Sequence, residues 1–225
     1  MTPRSTAWHL RVHGGAAIKL IMIAWPTLSR APLRSRLTLL AATLALAACS
    51  NAPPAEPPLA GASIGGDFAL TGEDGRTVRW DDFAGKYRIV YFGFTYCPDI
   101  CPTDVQRFTR GLAQFAKEQP EQAAKIQPLF ISVDPERDTP AVLREFTDAF
   151  SPQLIGLTGT PAQVEDAAKK FAVYASKGEQ QPGGGYLMNH TNITYLFGPD
   201  GGPIATLPTD QGAEAVAAEL ARWVR

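Results

Sequence analysis

The chain has 225 residues, 45% of them hydrophobic and 19% charged, which excludes a disordered or low-complexity polymer and leaves enough apolar material for a domain with a sizeable core. The formal net charge is −1, but residues 1–48 hold six basic side chains and no acidic one, leaving 15 basic against 22 acidic, a net of −7, for the remainder. A mildly acidic domain lacks the basic footprint that nucleic-acid binding needs, so no nucleic-acid partner is expected.

Arg30, Arg34 and Arg36 precede an apolar run from Leu37 to Ala48. Twelve residues are too few to span a bilayer, which takes roughly 20. Charged segment, short apolar segment and small-residue end together make the layout of a secretory signal, so residues 1–48 read as a signal peptide. Residues 1–21 fit no such layout, and a start at Met22 would restore it. The end, Leu46-Ala47-Ala48-Cys49, resembles the lipobox of bacterial lipoproteins. That resemblance implies a lipid on Cys49 and a periplasmic, membrane-anchored lipoprotein; the alternative is a plain signal cut at an Ala-x-Ala-like site with Cys49 unmodified. Residues 49–64 then form a linker whose four prolines between Pro53 and Pro58 favour an extended spacer. The folded domain is expected over 65–225.

Within it, Phe68–Leu70 and Thr77-Val78 flank a Glu73-Asp74-Gly75 turn and predict an N-terminal hairpin. Arg88 to Phe94 is a continuous apolar run typical of a buried central strand. Residues 103–118 place Val105, Phe108, Leu112 and Phe115 on one helical face. A second buried strand is expected over Ile126–Val133, a helix over 140–150 opening on Pro140, a short strand near Ile155 and a helix over 161–171. Gly178 to Tyr186, with its Gly183-Gly184-Gly185 run, reads as a flexible loop. Thr191–Phe197 and Ile204–Leu207 flank Gly198-Pro199-Asp200-Gly201-Gly202 as a second hairpin, and Gly212–Arg225 closes with a helix. Strands alternating with helices predict an α/β fold, a central mixed sheet with helices on both faces. Strand, cysteine motif, then helix is the order of a thioredoxin-like fold.

Three cysteines are present, and with Cys49 assigned to the lipid, Cys97 and Cys101 remain. A disulfide closing so short a loop constrains little of the unfolded chain, so the pair reads as chemical rather than structural. Tyr96 to Pro102 falls where a buried strand ends and a helix begins. Sites in open α/β sheets lie at strand carboxyl ends, and a helix start favours a thiolate. Because each cysteine precedes a proline, both are expected on a loop leading into the helix. His9 and His13 lie in the signal segment, so His190 is the domain's one histidine, expected just ahead of a strand at Thr191. Two thiolates and an imidazole suit copper or zinc. Taken alone, the Cys-x3-Cys pair serves redox or metal chemistry equally, and a lone histidine is more often structural.

Gly93-Phe94-Thr95-Tyr96-Cys97-Pro98-Asp99-Ile100-Cys101-Pro102-Thr103 resembles the signature of the Sco/SenC family. Ser132-Val133-Asp134-Pro135-Glu136-Arg137-Asp138-Thr139-Pro140 is similar to that family's second block. Asn189-His190-Thr191, followed by Gly198-Pro199-Asp200-Gly201, is similar to its third. The resemblance implies a thioredoxin-like fold, copper as Cu(I) or Cu(II) held by Cys97, Cys101 and His190, and a part in assembling the dinuclear copper centre of cytochrome c oxidase subunit II. Asn189 departs from the pattern, many members having an acidic residue there. For Asp134 two readings stand, a turn former at a strand end or a carboxylate near the copper. Asp138 is expected to cap the helix at Pro140, Arg137 to pair with Glu136 or Asp138, and Asp99 to be exposed. Tyr96 is assigned to the core or the rim.

Two functions compete. One is a metallochaperone delivering copper to subunit II or another periplasmic copper protein. The other is a thiol–disulfide reductase using Cys97 and Cys101 as its redox pair. A peroxiredoxin-like peroxidase and a zinc hydrolase are weaker, the last because no carboxylate is evidently placed as its base.

Overall fold

A computed structural model describes residues 56–181 and 184–225. The segment read as a signal peptide, Cys49 and the first part of the expected linker fall outside the described residues. Among the described residues the strands are β1 (Ala69–Gly72), β2 (Thr77–Arg79), β3 (Tyr87–Gly93), β4 (Ile126–Ser132), β5 (Ile155–Thr158), β6 (Ala175–Gln180), β7 (Tyr186–His190), β8 (Thr194–Phe197) and β9 (Pro203–Leu207). The helices are α1 (Ile100–Glu118), the single turn α2 (Pro120–Ala123), α3 (Pro140–Asp148), α4 (Pro161–Lys170) and α5 (Ala213–Trp223).

Seven strands form one sheet in the order β2-β1-β5-β4-β3-β8-β9, and β6 and β7 form a separate ribbon. β3, β4 and β5 run parallel, while β1 and β8 pair antiparallel with β5 and β3. Every residue of β3 is buried, as the central position of an unbroken apolar run requires. Arg88 is the polar exception: its guanidinium lies 4.3 Å from the Trp80 ring centre and donates to the Gly198 carbonyl at 3.0 Å. Alternate side chains of the sheet serve opposite layers. On one face Tyr91 and Phe130 meet Phe108 of α1 and Phe146 of α3. On the other, Phe92 meets Phe171 at the end of α4, in a cluster with Phe68, Trp80 and Phe197. Helices therefore cover both faces, as expected.

The helix starts follow from sequence. Thr160 and Gln163 form a capping box at α4, and Thr139 caps α3, each ahead of a proline in the first turn. Asp138 is thus not the cap. The helix α1 crosses α5 at Gly111, where a β-carbon would stand 2.6 Å from Val216 Cγ1 and 2.8 Å from the Ala213 carbonyl. Leu59 already donates a backbone bond to Ile204 in β9, and Leu59 and Ile64 pack against the core. Ordered packing thus begins a few residues ahead of Gly65.

The stretch expected to be a flexible loop differs most. Residues 175–180 are strand β6, paired antiparallel with β7. Polar side chains hid it: Ala-Ser-Lys-Gly-Glu-Gln carries no apolar alternation, because this ribbon stands outside the main sheet. His190 accordingly ends β7 rather than preceding β8, which begins at Thr194.

Candidate metal centre

The carboxyl end of β3 leads through Phe94-Thr95-Tyr96 into Cys97, and α1 starts at Ile100. Cys97 lies in the connecting loop as expected, but Cys101 lies inside the first helical turn and is fully buried. Pro102 permits this, because a proline so near the start removes an N–H that has no intrahelical acceptor. The helix start has no side-chain cap at Asp99; Cys97 Sγ instead accepts the Cys101 N–H at 3.3 Å.

From a segment 89 residues away, β7 brings His190 Nε2 to 3.3 Å from Cys101 Sγ. His190 Nδ1 lies 3.1 Å from the Thr191 carbonyl, which can only accept. The ring proton therefore belongs on Nδ1, and the Nε2 lone pair faces the sulfurs. Tyr91 and Phe94 meet the imidazole edge to face, with ring centres 6.4 and 5.8 Å away. Both thiols are free. A cleft of about 450 Å3 opens over Cys97 and His190, edged by Pro98, Ile100, Leu187 and Asn192. A groove of about 460 Å3 across the β6–β7 ribbon is lined by Val133, Val164 and Val173 and has no thiol or imidazole.

The two cysteines differ sharply in acidity. The Cys101 thiol and the backbone at Asp99 and Cys101 together outweigh burial and hold the Cys97 thiol down at about 4. The same contact, with burial, pushes Cys101 far up. Cys97 is the thiolate and Cys101 the thiol. Iodoacetamide should therefore label Cys97 at a rate nearly independent of pH from 5 to 8, and should spare Cys101 until the chain unfolds. A labelling rate for Cys97 that rose only around pH 8–9 would overturn this assignment.

Among the described residues, no three His, Cys, Asp or Glu side chains are arranged to hold a metal ion as they stand; the two cysteines and His190 are hydrogen-bonded to one another instead. Tyr91 adds a hydroxyl beneath Cys101, bonded to the buried Asp104 at 3.3 Å. Burial and the neighbouring Cys101 and Asp104 push Tyr91 far up, so it stays a neutral donor. Nothing in the local sequence marks Asp104, an acid on the inward face of a helix.

The second block is close by but built differently from expectation. Asp138 is fully buried and accepts from the Thr95 hydroxyl and the Ser132 hydroxyl, each at 2.6 Å, and from the Thr95 N–H. It fixes the loop ahead of Cys97 rather than capping α3. Burial raises its carboxyl above the ordinary value against these bonds. Arg137 pairs with neither Glu136 nor Asp138 but with Asp134. The carboxylate of Asp134 is spent on Arg137 and on the Tyr186 hydroxyl, 2.9 Å away, and does not line the cysteine cleft. Its backbone makes the turn, with its carbonyl accepting from Arg137 and Asp138. Asp99 is exposed, as expected, and Tyr96 is 53% exposed at the rim. Asn189 is exposed on β7.

A mixed sheet with a cysteine pair at the junction of a central parallel strand and its helix, closed by an antiparallel hairpin and a final helix, defines a thioredoxin-like domain. An added two-stranded ribbon delivers an imidazole against the pair. The chain belongs to the SCO1/SenC family, which it matches over residues 56–225. It is 36% identical over 162 residues to the human mitochondrial SCO1 homolog, covering 72% of this chain and 53% of that protein. It is 43% identical over 159 residues to Protein SenC of Rhodobacter capsulatus, covering 70% and 69% of the two chains. The chain spans about half the length of the mitochondrial relatives it matches. Among solved structures, copper-bound ScoI of Bradyrhizobium japonicum superposes with a TM-score of 0.64 at 38% identity, covering 72% of this chain and 99% of that one. Copper-bound yeast Sco1 does so with 0.65 at 35%, covering 72% and 88%.

Proposed function

We propose that this protein is a copper metallochaperone that binds its cargo through Cys97, Cys101 and His190 and passes it to the dinuclear copper centre of cytochrome c oxidase subunit II. The observation that carries the reading is the approach of His190 Nε2 to Cys101 Sγ, 3.3 Å, with the Nε2 lone pair turned to the sulfurs. Metal–nitrogen and metal–sulfur bonds of roughly 2.0 and 2.3 Å place such a pair about 3.5–3.7 Å apart. The donors therefore need to open by a few tenths of an ångström to admit the ion. Two sulfurs and an imidazole favour soft or borderline ions over magnesium or calcium. The copper bound in the related ScoI and Sco1 structures supports the choice of ion. Ligand exchange would move copper to thiolate and imidazole donors on the acceptor. Metal analysis of the reduced protein tests this: one copper per chain is expected, and none would refute it.

The low-lying Cys97 thiol favours a second activity at the same site. Its thiolate would attack one sulfur of an acceptor disulfide and release the other. Cys101, giving up its proton, would then attack the mixed disulfide, leaving the acceptor reduced and Cys97–Cys101 oxidised.

Among the described residues no helix is long and apolar enough to cross a membrane. We propose that a lipid on Cys49 holds the domain at a membrane on the periplasmic side, with the residues between Cys49 and Leu59 as spacer. Mass spectrometry of the membrane fraction should find lipid-modified Cys49 at the mature N-terminus. A freely soluble chain with unmodified Cys49 would overturn the anchor.

A further inference from the structure

The ribbon that carries His190 is held to the domain by an assembly of charged and aromatic side chains around Tyr186. Arg137 donates from Nη1 to the Tyr186 carbonyl at 2.9 Å, and its guanidinium carbon lies 3.8 Å from the centre of the same residue's ring. Lys177 of β6 also packs against that ring, its ammonium 4.2 Å from the centre, while bonding Glu136 at 2.7 Å. Asp134 completes the joint, taking Arg137 Nε on one oxygen and the Tyr186 hydroxyl on the other. Arg137 also reaches the cysteine side: its guanidinium carbon is 4.9 Å from the ring centre of Tyr96, next to Cys97, and 5.8 Å from that of Phe94, which packs against His190.

One arginine thus touches the loop bearing Cys97, the turn after β4 and the ribbon bearing His190. Tyr186, Met188 and His190 alternate onto one face of β7, so a constraint at Tyr186 sets the strand that ends in His190. Only arginine combines a planar face for stacking with two nitrogens pointing at different acceptors; a lysine keeps the charge and loses both properties.

We infer that Arg137 is a positioning residue: it latches the β6–β7 ribbon, through Tyr186 and Asp134, so that His190 is presented to the cysteine pair, and loosening the latch is how the site opens to give up its metal. The release step rests on the proposed copper site; the latch does not. Groups that orient ligands from outside the coordination sphere are typically worth about 10–100-fold in metal affinity.

The test uses the full-length reduced protein with Arg137→Lys and, as a milder variant, Tyr186→Phe, which removes the bond to Asp134 and leaves the stacked ring. In the copper-free state both should speed hydrogen exchange at residues 175–190 while β3 and β4 keep wild-type protection. Copper should leave Arg137→Lys about 10–100-fold faster than wild type, and Tyr186→Phe by less, with the absorption spectrum of the loaded protein unchanged because the donors are the same. A general loss of protection in β3 and β4 in both variants would assign Arg137 and Tyr186 to fold stability and overturn the latch. Wild-type exchange in the ribbon would also overturn it. Local loosening with a wild-type copper off-rate would overturn the release role. If His190→Ala in parallel also released copper at the wild-type rate, the fault would lie with the three-donor site, and the exchange data alone would decide the latch.

Discussion

His190→Ala should raise the dissociation constant for Cu(II) by more than about 100-fold, near 2.8 kcal/mol or above, and should remove the intense sulfur-to-copper absorption of the loaded protein. Outer groups that merely orient a ligand are worth 10–100-fold, so the ligand itself is worth more. The geometry makes the loss specific. The Thr191 carbonyl holds the ring proton on Nδ1, and Nε2 is the atom that approaches Cys101. Two sulfurs alone leave Cu(II) under-coordinated and prone to reduction. Disulfide formation between Cys97 and Cys101 asks nothing of a nitrogen lone pair, so oxidation and exchange should survive. Titration of the reduced protein with Cu(II), followed by absorption and by a competing chelator, measures both halves. Wild-type affinity and spectrum in the variant would leave the reductase as the better account.

Cys101→Ser should lose copper and the disulfide together while leaving the fold in place. Serine supplies a hard oxygen donor with no affinity for soft copper, and its hydroxyl fits the fully buried site beside Tyr91. The variant also separates the two proposed activities. Cys97 can still attack an acceptor disulfide, but no second thiol remains to resolve the product. Incubation with an oxidised acceptor peptide should therefore accumulate a mixed disulfide through Cys97, visible as a mass increment. Absence of that adduct would count against the reductase, and retention of copper at one ion per chain would count against the three-donor site.

Much of this was legible in the sequence because burial writes itself as pattern. The unbroken apolar run of β3, the inward stripe Val105-Phe108-Leu112-Phe115 and the proline-led helix starts all gave elements of the right type within a few residues. The cysteine motif announced its own position at a strand–helix junction. What escaped was held by groups without periodicity. The strand β6 is polar because it belongs to a ribbon outside the main sheet. Asp138 was expected as a helix cap and Arg137 as half of a local ion pair, yet their partners Thr95, Ser132 and Tyr186 lie up to 49 positions away, and spacing says nothing of such pairs. The placement of Cys101 inside the helix went against the usual bias of residues before proline, which the first turn relaxes.

The sheet joins Arg88 to Phe197 and the site joins Cys101 to His190, 89 residues apart. A ribosome adds about 5–20 residues per second, so on the order of ten seconds pass between synthesis of the second cysteine and synthesis of its imidazole. Neither β3 nor the pair can find its late partners during that interval, and non-local pairing of this kind is slow in any case. The nascent chain therefore presents two neighbouring thiols before either the edge of β3 or the third donor is covered. A cell making this protein must keep those thiols reduced, and free of stray metal, until the last fifth of the chain has emerged.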